Sequence, residues 1–140
     1  MDILRSYLDG ESPLPPVARL TGRGLVSVDK GAATFELLKS DWLASGKGRL
    51  HAGVLAFLAD ASLTGAVQSA LPARTLCTTA TYTALDLRVN FLRPVSADGG
   101  ALTATGTVLH RGRQLVISPT GVTHAGKTVA IATGTTALST

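Results

Sequence analysis

Between His51 and Leu71 the chain carries one formal charge, Asp60, within a run of Ala, Gly, Val, Leu, Phe and small polar residues. A helix that is apolar on nearly every face is normally buried. The run is rich in small residues, holds a carboxylate near its middle and lacks positive flanks, so it does not read as a membrane span. The stretch Arg49–Leu71 is therefore expected to form one long helix inside a soluble protein, ended by Pro72.

Elsewhere the period changes to two. In Leu85–Phe91 the odd positions are apolar and the even ones polar, as in a half-buried strand. After Gly99-Gly100, Leu102, Ala104, Gly106 and Val108 alternate with Thr103, Thr105 and Thr107. His110–Arg113 reads as a turn, Leu115–Thr123 as a strand and Thr128–Leu138 as the last strand, with a tight turn at Ala125-Gly126-Lys127. Pro119 inside its strand argues for a bulge or an unpaired edge. Before the helix, Val17–Val28 and Ala33–Leu38 read as strands joined at Asp29-Lys30-Gly31. Asp2–Leu8 reads as a helical turn or two, and Lys39–Leu50 as a loop. One apolar helix must be covered on all sides. The order thus predicts an α+β fold in which an antiparallel sheet of five or six strands wraps around the helix, with a second subunit closing what the sheet leaves open.

Composition narrows the function. A chain of 140 residues with 45% hydrophobic and 16% charged residues is expected to be one folded domain, residues 1–140, with residues 1–16 as a lead-in. The net charge of +4 is scattered, and only 4% of residues are aromatic, which argues against a nucleic-acid partner and fits a smaller phosphorylated one. The single cysteine, Cys77, excludes an internal disulfide and reads as a structural thiol. Three isolated histidines make a metal site unexpected. The N-terminal residues lack the pattern of a secretory signal, which points to the cytoplasm. A buried carboxylate is costly unless it is paired or has a task, so Asp60 is the first functional candidate.

The segment Arg49-Leu-His-Ala-Gly-Val-Leu-Ala-Phe-Leu-Ala-Asp60, with its acid nine residues after His51, resembles the His-Gly-Gly signature of hotdog-fold acyl-CoA thioesterases. Val89-Asn90-Phe91-Leu92-Arg93-Pro94 is similar to the strand that follows in that family, and His110–Arg113 and Lys127–Ala130 to its later hairpins. The likeness runs from Val17 onward and is closest to the phenylacetate-pathway branch. It implies a hotdog fold, an acyl-CoA substrate with an aryl or medium-chain acyl group, and a homodimer or dimer of dimers. It implies no metal or redox cofactor, coenzyme A entering only as part of the substrate. Two positions depart from the pattern: Ala52 replaces a glycine, and Ser45, six before His51, stands where Asn or Gln is usual. Ala84 stands near a position where some relatives carry serine; Thr83 and Thr64 are candidate substitutes.

The chemistry of the residues supports the resemblance. Hydrolysis of a thioester needs a donor for the developing oxyanion and a base or nucleophile. Unpaired amides at a helix N-terminus point outward in a positive potential, so the Gly53 N–H is a candidate donor. Asp60 is a candidate general base or nucleophile, and Thr64, one turn on, a partner for the acid or its water. His51 is expected first to cap the helix or hold the loop as a core histidine, and is a catalytic candidate through general acid–base work by its ring. Ser45 is a candidate polar contact to substrate. Arg93, Arg111 and Arg113, with Gly112 between the last two, are candidates for gripping the coenzyme A phosphates. Gly53 and Asp60 are seven residues apart, about 10 Å along a helix, too far to serve one carbonyl carbon. If both act, Gly53 of one subunit must work with Asp60 of another. Two rivals remain: a non-catalytic acyl-CoA binder in which Asp60 is structural, and a hotdog hydratase or dehydratase, whose acid–histidine spacing differs.

Overall fold

The computed structural model describes residues 2–72 and 81–139. Two short helices lead in, α1 (Asp2–Leu8) and α2 (Pro16–Thr21). A hairpin follows, β1 (Arg23–Asp29) and β2 (Ala32–Leu38), then two short turns at Asp41–Leu43 and Gly46–Gly48 and the long helix α3 (Ala52–Ala70). The second half is β3 (Thr81–Phe91), β4 (Ala101–Thr107), the two-residue β5 (His110–Arg111), β6 (Leu115–His124) and β7 (Lys127–Ser139). The main sheet runs β1-β2-β4-β6-β7-β3 with every neighbour antiparallel, and β5 pairs with β6.

The sheet curls around α3, which packs against every strand of that path. Leu58, Ala59, Ala66 and Val67 of the helix are fully buried against Leu37, Leu102 and Val122 of the sheet. This is the sheet around a buried helix that the apolar run predicted, and the hotdog fold that the resemblance implied. The helix lies close because small residues stand where the backbones meet. A Cβ on Gly106 of β4 would overlap the Ser62 carbonyl of α3, and one on Gly65 would fall 2.6 Å from the Phe35 ring. Ser62 hydrogen-bonds Thr120 of β6 at 2.8 Å, and Thr120 donates to the Thr105 carbonyl at 3.0 Å, so the buried hydroxyls are matched across three elements.

Three expectations are corrected or sharpened. Val17–Thr21 is helical and not the start of a strand: Pro16 occupies the first turn, and Gly22, with φ of 80°, closes the helix by donating to the Ala18 carbonyl. Leu85 does not share the inward face of Leu87 and Val89; a bulge between Ala84 and Asp86 turns it to solvent, where the Asp86 carboxylate accepts the Thr135 N–H at 3.0 Å. Pro119 sits in the middle of the sheet, but between the residues of β6 that pair with β5 and those that pair with β4, so one edge is unpaired there as a proline needs. Cys77 lies outside the described residues. Among the described residues no helix is long and apolar enough to cross a membrane.

The close approach of Gly106 to α3 makes Gly106→Ala costly, by about 3 kcal/mol or more, since backbone must move. Gly24→Ala, whose Cβ meets nothing within 4 Å, is the control and should stay within about 0.5 kcal/mol of wild type in urea unfolding.

Candidate active site

Helix α3 is buried on most of its circumference, and the less buried stripe runs through Phe57, Asp60, Thr64 and Gln68, at helical spacing along one face. Asp60 is thus the one acid on the one accessible side of the central helix. Burial pushes its carboxyl above the ordinary range, against the pull of the nearby Arg23 guanidinium. Neither neighbouring hydroxyl satisfies it, Thr64, the expected partner, included. Ser62 donates to the Ala59 carbonyl and faces the sheet, while Thr64 donates to the backbone carbonyls of Asp60 at 2.9 Å and Ala61 at 3.2 Å. No hydrogen bond reaches the Asp60 carboxylate from the described residues.

The same helix face lines a cavity of about 210 Å³ together with the lead-in and first hairpin. Ala61, Thr64 and Gln68 form one wall, and Tyr7, Arg23 and Phe35 the other. Tyr82 of β3 closes it, its hydroxyl donating to Gln68 Oε1 at 3.0 Å. Arg23, which sequence reasoning missed, stacks on two rings, 4.9 Å from the centroid of Phe35 and 5.3 Å from that of Phe57. Such contacts contribute about 1 kcal/mol each. Desolvation lowers its pKa, while Asp60 and Tyr7 raise it. Its Nε is buried without a hydrogen-bond partner. Position 23 follows a glycine at the head of a strand, and no local motif marks it.

At the N-terminus of α3, His51 is the cap, as expected: its Nδ1 accepts the Gly53 N–H at 2.8 Å. This fixes the ring's remaining proton on Nε2 when the imidazole is neutral. It also occupies the amide nominated as oxyanion donor. A Cβ on Gly53 would lie 2.9 Å from that nitrogen, so a side chain there needs the His51 ring to shift. The loop before the helix is held by the Ser45 N–H on the Arg49 carbonyl at 2.7 Å and by Ser45 Oγ on the same carbonyl at 3.2 Å. A groove beside it, about 400 Å³, brings Ser45 together with Arg49, Ala52 and Arg93. Arg49 is a second residue not singled out, although it opens the motif.

The other substrate-binding candidates lie elsewhere. Arg111 donates from Nη1 to the Ala70 carbonyl at 3.0 Å and so caps the C-terminal end of α3. Gly112 makes the turn that follows, its N–H on the Leu115 carbonyl at 2.8 Å, and Arg113 is exposed beyond it. Ala52 and Ala70 are 18 residues apart, about 27 Å along the helix, so within one subunit Arg93 and Arg111 belong to different ends. Among the described residues no three His, Cys, Asp or Glu side chains gather as metal ligands.

The model of the family described as "Thioesterase superfamily" matches residues 47–118, which take in the helix cap, Asp60 and the bend of Arg93 after β3. The chain belongs to the thioesterase superfamily. It is a thioester hydrolase. No curated protein matches it. Among solved structures, a phenylacetic acid degradation-related protein of Ralstonia eutropha is 27% identical, with a TM-score of 0.83 over 96% of this chain and 98% of that one. A conserved protein of Pseudomonas aeruginosa is 28% identical, with a TM-score of 0.81 over 90% and 95%. The PaaI protein of the E. coli phenylacetic acid degradation operon is 25% identical, with a TM-score of 0.82 over 98% and 94%.

The raised pKa of Asp60 has a thermodynamic consequence. A carboxyl whose pKa is higher folded than unfolded favours the fold when protonated, and that contribution is lost as pH rises through the folded pKa. At neutral pH the charged acid therefore weakens the fold. Asp60→Asn should melt above wild type at pH 7, with the gap narrowing as pH falls into the carboxylate range, in calorimetric scans at several pH values.

Proposed function

We propose that this thioesterase hydrolyses acyl-CoA thioesters with an aryl or medium-chain acyl group, at a site shared by two subunits. The observation that carries the proposal is Asp60: a half-buried carboxylate left without a hydrogen bond by the described residues, on the face of α3 that lines a cavity. A cavity of about 210 Å³ is larger than the 150 Å³ space that holds benzene, so it suits one ring or a chain of similar bulk. Asp60 takes a proton from the water that attacks the thioester carbonyl carbon and returns it to the departing sulfur, or it attacks that carbon itself to give a mixed anhydride that water then hydrolyses, the sulfur taking its proton from water; either way the C–S bond breaks, and the free acid and the thiol of coenzyme A leave. The oxyanion is met by first-turn amides of α3. For Gly53 to donate, the substrate oxygen displaces the His51 ring from its N–H. Thr64 stays on the helix backbone and positions the turn behind the acid, and Ser45 and Arg93 line the approach at the helix N-terminus. The hydrolysis draws on these groups and on water, with no metal or redox cofactor.

Two features support the second subunit. Gly53 and Asp60 stand about 10 Å apart on one rigid helix. In addition, β3 ends the sheet with eleven residues and one unpaired edge, an arrangement that proteins normally cover. A homodimer or a dimer of dimers answers both. The occupied Gly53 amide favours one competing function, an acyl-CoA binder without turnover.

Free-thiol release from aryl and aliphatic acyl-CoAs separates these. Wild type should turn over, and Asp60→Asn should lose about 100-fold or more of kcat/KM. Unfolding and refolding Asp60→Asn with Gly53→Ala, each inactive alone, should restore activity, because each mixed dimer contains one intact site. Tight binding with no turnover by wild type would instead establish the binder.

A further inference from the structure

Among the described residues Arg23 is the one cation on the cavity wall, and nothing in the acid–amide mechanism above uses it. Its guanidinium is clamped between Phe35 of β2 and Phe57 of α3. Phe57 is one turn before Asp60 on the same helix face, and Ala61 and Thr64, flanking Asp60 on the other side, line the cavity that Arg23 also lines. Two rings hold the planar cation from turning away, and its buried Nε is committed to no acceptor. The charge is therefore fixed in place rather than spent on a hydrogen bond.

We propose that Arg23 is a positioning residue for Asp60: held against the rings of Phe35 and Phe57 at the cavity rim, it sets a fixed positive charge beside the face of α3 that carries the acid. The proposal rests on Asp60 being the catalytic acid. It follows from a competition on that carboxyl. Burial favours the neutral form, which is useless as base or nucleophile, and the guanidinium opposes it. The other titratable groups around the pair are Tyr7 of α1 and Tyr82 of β3, both on the cavity wall, and β2 offers only the Phe35 ring. A tyrosine is neutral through the pH range in which a carboxyl titrates. Arg23 is thus the group that supplies positive charge to Asp60 from the elements packed around it. An arginine suits the place because its flat cation stacks on both rings and stays charged when desolvated, as a lysine does not.

The test is a titration of Asp60 by the carboxyl ¹³C resonance in aspartate-labelled protein, its signal assigned by its loss in Asp60→Asn, together with the pH dependence of kcat/KM. In Arg23→Met, which keeps bulk between the rings, the midpoint should rise by about half to one pH unit and the acid limb of kcat/KM should rise with it. Arg23→Lys should recover only part of the shift, because a desolvated ammonium gives up its charge more readily. If Arg23→Met does not fold, Arg23→Gln is read in the same way. An Asp60 midpoint unchanged in the neutral variants overturns the proposal, even if the rate falls. Absence of thiol release by wild type, or equal rates in Asp60→Asn, would remove the hydrolytic role of Asp60, while the carboxyl titration would still decide whether Arg23 sets its charge.

Discussion

The structure depends on how closely α3 can lie in the curve of the sheet. Gly106, opposite Ser62, lets two backbones meet where any side chain would hold them apart. Gly65 does the same for the Phe35 ring. Once the helix is that close, Leu58, Ala59, Ala66 and Val67 leave no room for water, and each large apolar side chain so buried contributes about 2 kcal/mol. The same closeness demands that polar groups on the buried side be matched. Ser62 and Ser69 each bond a carbonyl one turn back, and Ser69 also accepts the Gly31 N–H at 2.9 Å, tying the first hairpin to the end of the helix.

A helix sealed on most sides has one place for chemistry. The stripe of Phe57, Asp60, Thr64 and Gln68 is what the sheet leaves incompletely covered, and the lead-in helices roof its C-terminal part, at Thr64 and Gln68, without filling it. The acid there is neither a surface charge nor a matched core group. It is destabilised, and that is the property a base or nucleophile needs. The Arg23 guanidinium opposes that destabilisation with a fixed positive charge.

The helix, the hairpins and Asp60 were legible in the sequence because each is written in consecutive or regularly spaced residues. The residues that failed to read locally depend on hydrogen bonds or on distant partners. Val17–Thr21 has the composition of a strand, and only Pro16 and Gly22 at its ends mark it as a helical turn. Thr64 has the right spacing from Asp60, yet its hydroxyl finds the helix carbonyls before it finds a side chain, as threonine in a helix often does. Arg111 sits in a turn that looks solvated, and its partner, the Ala70 carbonyl, is 41 positions away in the chain. Arg23 is farther still from legibility, because its clamp joins residues 12 and 34 positions on.

The separation of the arginines bears on the assembly. In one subunit Arg93 and Arg111 stand near opposite ends of α3, which no single coenzyme A phosphate can bridge. If Gly53 of one subunit faces Asp60 of the other across antiparallel helices, positions level with each other sum to 113. Only Ala52 to Ala61 of each helix then stand level with helix in the other, since position 43 and the loop around it lie before α3 begins. Ala70, with the Arg111 guanidinium on its carbonyl, lies nine residues, about 14 Å, beyond that overlap. A thioester lying between two such helices would meet the acid of one chain and the amide of the other, with Arg93 beside the helix N-terminus and Arg111 remote from both.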